Sequence, residues 1–167
     1  MKVFLKYNEK LTIDVMIESL KNSLENHNEV AILATCFMIP DVFSKKMNGD
    51  KKEKYIKWFD MYVAENYRFT DELGNDLIEV ILNGHLFYQL RCAFLHAGNS
   101  VVQTDKISSE VFEISFVNDD DFQFPFEVES YGITEYDGII TKKLKINIEK
   151  MGRIFLKSLN KYKKSIE

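Results

Sequence analysis

Apolar residues recur along this chain in two rhythms, a helical one up to about residue 97 and again after 148, and an alternating one between them. Leu11, Val15, Ile17, Leu20 and Leu24 approximate the spacing of one helix face, which predicts a first helix over 11–26. Asn28 suits the N-cap of a second helix, where Val30, Leu33, Ala34, Phe37 and Met38 recur as far as Pro40. The proline ring and its missing N–H are expected to stop or kink that helix. Residues 45–54 read as a charged loop. Tyr55, Trp58, Phe59, Tyr62, Val63 and Tyr67 then give the clearest helical stripe of the chain. Helical spacing resumes from Asn75, although Asn83-Gly84 is also a turn signal, and Asn83 can cap a fresh helix running to about Ala97. Gly98 supplies a left-handed stop.

Beyond residue 110 the period falls to two. Phe112, Ile114 and Phe116 alternate with Glu113 and Ser115, and Phe122, Phe124, Phe126 and Val128 alternate with Gln123, Pro125, Glu127 and Glu129. These predict a hairpin joined at 118–121 whose Phe112, Ile114, Phe116, Phe122, Phe124 and Phe126 faces cover the bundle, because six such side chains left in water would form a patch that soluble monomers rarely carry. Pro125 cannot donate to a ladder, so its strand belongs at an edge or bulges. A third strand is expected over 139–146, with Ile140, Leu144 and Ile146 on one side. Ile148, Met151, Phe155, Leu159 and Tyr162 restore the helical period, with Asn147 as cap. The fold class read from this is mainly α: a bundle of about four or five helices with an antiparallel β-hairpin or three-strand insertion before the last helix. It forms a single domain over 1–167, divided into bundle (8–100), strand-rich segment (110–147) and final helix (148–165).

Composition agrees with one well-filled core. The chain has 167 residues, 46% of them hydrophobic, and includes 13 Phe, 8 Tyr and 1 Trp. The opening residues contain neither the apolar run nor the small-residue cleavage site of a signal peptide, and no stretch is long enough to span a bilayer, so a cytoplasmic protein without membrane contact is expected. Cys36 and Cys92 then read as reduced thiols in packed helices. A net charge of −4 does not mark a nucleic-acid binder, but the charge is uneven. Residues 105–137 hold ten acidic groups and one basic, whereas 142–164 hold nine basic and one acidic.

Candidate chemistry concentrates in Tyr88 to Gly98, YQLRCAFLHAG, where Arg91 and His96 stand five apart near a helix end. Histidine can accept a proton in one step and return it in the next near neutral pH, and arginine offers fixed donors to the charge that builds on a phosphate during cleavage. Such a pair can cut RNA without a metal: the ribose 2′-hydroxyl attacks the adjacent phosphate while His96 moves the proton and Arg91 stabilises the pentacoordinate state.

Here the chain resembles the HEPN superfamily, small helical bundles whose Arg-x4-6-His motif forms a metal-independent ribonuclease site, usually at a dimer interface. The motif in this sequence is Arg91-Cys92-Ala93-Phe94-Leu95-His96, set on a late helix behind amphipathic ones, so the likeness extends loosely over 11–98. It implies a homodimeric endoribonuclease of toxin or phage-defence type, acting on RNA, with a cognate antitoxin or other protein as partner. Cys92 departs from the polar residue that catalytic members commonly place after the arginine. The wider phrase is similar to a line in small bacterial and phage-associated proteins without assigned function.

On an ideal helix Arg91 and His96 point about 140° apart, so one substrate is faced by both only if two copies of the helix meet across a dimer axis or the last turn is distorted. The same residues also have a purely electrostatic reading, since cations in the last turns favour the helix dipole and bond its free carbonyls. His85, Gln89, Cys92 and His96 form one stripe beside Tyr88, a candidate polar cleft. No metal or other cofactor is called for: His85 and His96 are about 16 Å apart along the axis, too far to share an ion. A Cys92 and His96 metal pair or thiol and base pair stands beside the plainer reading of a small buried cysteine.

RNA contacts are assigned to Tyr88 and Gln89 and to Lys157, Lys161, Lys163 and Lys164 of the basic last helix, with Tyr162 available to stack on a base. The competing reading is a solvated helix face paired with the acidic segment. At the level of the whole protein, the rivals to a nuclease are a non-catalytic RNA- or protein-binding module and a structural accessory protein.

Overall fold

The structure, a computed structural model, describes residues 9–69, 79–80, 82–97, 101–103, 110–118, 125–134 and 139–167. It is mainly helical, with five α-helices: α1 (Glu9–Glu25), α2 (Glu29–Phe43), α3 (Lys51–Tyr62), α4 (Gly84–Ala97) and α5 (Ile148–Ser165). A two-residue ladder joins β1 (Arg68–Phe69) to β2 (Glu79–Val80). Strands β3 (Val101–Gln103), β4 (Glu110–Val117), β5 (Phe126–Thr134) and β6 (Ile139–Asn147) form a sheet in the order β3-β4-β6-β5.

Local signals account for most helix starts. The Asn28 side chain accepts from the Ala31 N–H at 3.1 Å, Asn83 from Leu86 at 2.9 Å and Asn147 from Lys150 at 2.9 Å, so all three expected caps satisfy orphan amides. Asp50 and Glu53 close a reciprocal capping box that starts α3 inside the expected charged loop.

Four readings need correction. The buried stripe of α1 is Ile13, Ile17, Leu20 and Leu24, an unbroken 4-3-4 spacing, and Val15 faces out at 58% exposure. Helix α2 runs through Pro40 to Phe43, because the proline forfeits one backbone bond yet its ring is buried in the core and its carbonyl accepts from the Ser44 N–H. Helix α3 stops at Tyr62, and a 3-10 turn over Ala64–Tyr67 carries the stripe on to the buried Tyr67. Glu79 and Val80 are extended, so the chain is not helical there and α4 starts afresh at Asn83; residues 70–78 lie outside the described set, as does Gly98.

The strand-rich insertion lies before the last helix as expected, but its pairing differs. β4 and β5 do not pair. β6 lies between them, antiparallel to β5 and parallel to β4, making the sheet mixed. The register puts Ile114 beside Leu144, and Phe116 and Phe126 on either side of Ile146, all on the face toward the helices. Glu113 and Lys143 pair at 3.1 Å on the opposite face. β5 sits at the edge, as Pro125 just before it requires, and its ladder slips between Val128 and Ser130. Phe122 and Phe124 lie outside the described residues.

The core is aromatic. Phe59 and Phe87 stack at 4.4 Å, Phe87 meets Phe37 at 5.0 Å and Phe155 at 5.4 Å, which locks α2, α3, α4 and α5 around one cluster. Phe116 reaches it from the sheet, edge-on to Phe37 at 6.3 Å.

Candidate functional site

Arg91 lies on α4 facing α2, and its partner is Asp41. Nε reaches Asp41 Oδ2 at 2.8 Å and Nη2 reaches the same oxygen at 2.6 Å. The guanidinium carbon sits 5.7 Å from the Tyr55 ring centre and 5.8 Å from that of Tyr88. Tyr55 is fixed in turn by its hydroxyl donating to the Phe37 carbonyl at 3.1 Å, and Tyr88 packs edge-on against Tyr55 at 5.3 Å. Among the described residues Nη1 has Cys92 Sγ as its partner, at 4.0 Å. The Arg91 side chain keeps 23% exposure, so its unused donors can reach a ligand at the surface.

The charges follow this geometry. Burial works against the Arg91 cation, but the Asp41 carboxylate outweighs it and holds the group above its ordinary value. Burial pushes the Tyr55 hydroxyl well up, and the Asp41 charge adds to the effect. The Tyr88 hydroxyl is raised by burial and by Cys92. Both tyrosines are therefore neutral donors near neutral pH.

His96 lies in the last turn of α4, and its side chain is outside the described set. The helix is α-helical throughout, so the ideal angular separation from Arg91 applies without a distorted turn. Cys92 is half-buried and Leu95 is 53% exposed; both occupy the arc between Arg91 and His96. Gln89 presents a buried Oε1 without a hydrogen-bond partner, and His85 is exposed in the first turn. Cys36 is buried and unpaired with Cys92. Among the described residues no three His, Cys, Asp or Glu side chains gather as metal ligands would, and no helix is long and apolar enough to cross a membrane.

The four α5 lysines assigned to RNA separate into two groups. Lys157, Lys161 and Lys164 are exposed, whereas Lys163 turns toward α1 and pairs with Asp14 at 2.6 Å. Tyr162 is not available to stack on a base: it is 5% exposed and donates to the Phe43 carbonyl at 3.1 Å.

Sequence reasoning missed Asp41 and Tyr55. Asp41 had a signal, as the sole charged residue after Glu29 in the helix EVAILATCFMIPDVF. A charge in so apolar a segment must reach solvent or a partner. Nothing in the sequence pairs it with a residue fifty positions later. Comparison with protein-family models, curated proteins and solved structures finds no match.

Proposed function

We propose that the chain is a metal-independent endoribonuclease resembling the HEPN group, active as a homodimer through Arg91 and His96. The observation that supports this best is the preparation of Arg91: Asp41 and two tyrosine rings hold the guanidinium while Nη1, beside Cys92 Sγ at 4.0 Å, keeps donor capacity for a phosphate oxygen. His96 takes the proton of a ribose 2′-hydroxyl, O2′ attacks phosphorus, and the bond to the 5′ oxygen breaks as His96 returns the proton to it. The products are a 2′,3′-cyclic phosphate and a 5′-hydroxyl. Arg91 neutralises the charge on the pentacoordinate phosphorus, and Asp41 is a positioning residue. Leu95, an exposed apolar side chain between the two, gives a second copy something to bury, which agrees with a composite site across a two-fold axis. A toxin or phage-defence setting with a cognate antitoxin comes with the HEPN likeness.

The test is purified protein with total RNA in EDTA. Cleavage with cyclic phosphate ends, lost by about two or more orders of magnitude in His96→Ala and Arg91→Ala, is the expected result. A requirement for Mg²⁺, or activity unchanged in His96→Ala, overturns the mechanism; no cleavage under any condition leaves the binding-module reading in its place.

A further inference from the structure

We propose that the outward face of α5 is a track for the phosphodiester backbone of a single-stranded nucleic acid, built from Arg153, Lys157, Lys161 and Lys164. The site is separate from Arg91 and does not depend on cleavage there.

At 100° per residue the four cations fall within an arc of about 80° and extend about 16 Å along the helix. All four are exposed. Their opposite face, Met151, Phe155, Leu159 and Tyr162, is buried in the core, so the stripe cannot rotate away from solvent. Lys157, Lys161 and Lys164 have no ion-pair partner among the described residues, and Arg153 has only Glu149 at 3.8 Å, a carboxylate already hydrogen-bonded to His27. Lys163 is excluded, since Asp14 takes it. Among the described residues, Glu149 is thus the one carboxylate paired with this face.

A polyanion is the partner such a stripe fits; one feature favours a nucleic acid over a lipid surface and a second favours an extended strand over a duplex. A helix lying in a membrane interface inserts an apolar face, and that of α5 is already used in the core. Cations four residues apart advance about 6 Å, longer than the roughly 3.4 Å axial rise per phosphate of a stacked duplex strand, so an extended strand matches better. With Tyr162 buried, no ring on the stripe stacks on bases. Binding is then electrostatic, indifferent to sequence and common to RNA and DNA.

The test measures fluorescence anisotropy of the full chain with a labelled 2′-O-methyl oligouridine, which 2′-hydroxyl attack cannot cut, with oligothymidine, and with phosphatidylserine vesicles. With four phosphates neutralised, affinity should fall about twenty-fold between about 50 and about 150 mM salt, from a log–log slope near −0.7 per contact. Combining Lys157→Gln, Lys161→Gln and Lys164→Gln should cut that slope to about a quarter, while Lys163→Gln leaves it unchanged. Circular dichroism of the triple variant checks that it is folded. An undiminished slope in the triple variant, an equal loss in Lys163→Gln, or binding to vesicles alone overturns the proposal.

Discussion

At the residue scale the decisive pair is Arg91 with Asp41. Side-chain exposures of 23% and 39% put it between a surface ion pair and a buried one. Surface pairs contribute at most about 1 kcal/mol, whereas stripping one partner from a buried pair costs about 3–5 kcal/mol. A double-mutant cycle of Asp41→Ala and Arg91→Ala, read by urea unfolding, should therefore give a coupling of about 1–2 kcal/mol. A coupling near zero would leave the cation–π contacts with Tyr55 and Tyr88 as the restraint on the guanidinium. A second substitution at this position tests the proposed positioning role: Asp41→Asn keeps the shape but loses the charge, and under the proposed mechanism should lower turnover while leaving the cyclic phosphate products unchanged.

At the element scale two glycines set how closely helices approach. A Cβ on Gly84 would lie 2.5 Å from the Ile56 carbonyl oxygen and 2.9 Å from its Cα, so α4 begins in backbone contact with α3. Its own N–H donates to Asp60 Oδ1 at 2.7 Å, fixing that approach. On Gly152 a Cβ would meet side-chain methyls instead, Ile32 Cγ2 at 2.8 Å and Leu24 Cδ2 at 3.0 Å. Methyl groups can shift and a backbone carbonyl cannot without moving its helix. Gly84→Ala should therefore destabilise more than Gly152→Ala, whose overpacking should cost about 1–3 kcal/mol, partly offset by the helix preference of alanine over glycine. Chemical denaturation of the two variants decides it, and the reverse order would mean that α4 can lift from α3. Since α4 carries Arg91 and His96, Gly84→Ala should also reduce the proposed RNA cleavage without touching either residue.

For the whole molecule, the question is how many chains make a site. Arg91 and His96 diverge by about 140° on a continuous helix, and the arc between them holds the exposed Leu95. The proposed homodimer, by burying Leu95 of both copies, would reconcile the two facts. Light scattering at micromolar concentration should report a dimer, and Leu95→Asp should yield monomers with cleavage reduced at least ten-fold but the fold retained. Dimers unaffected by Leu95→Asp would place the two-fold elsewhere.

Much of this was legible from the residues because it depends on local chemistry. Asparagine caps at 28, 83 and 147, the aromatic stripe that begins at Tyr55 and the change of period near 110 and 148 each act within a few positions. They determined a bundle of about four or five helices with strands before the last. What the sequence left open depends on partners distant along the chain. An alternating segment has the same apolar face whichever strand it joins, so only the tertiary structure decided that β6 would separate β4 from β5. Likewise the arginine was conspicuous, but its plane is set by Asp41, fifty residues away, through Pro40 being accommodated inside α2. The basic helix was visible as composition, whereas the division of its cations into an exposed stripe and Lys163 bound to Asp14 required α1 and α5 to be packed side by side. Periodicity determines which face is apolar; only packing determines what that face, and the charges opposite it, will meet.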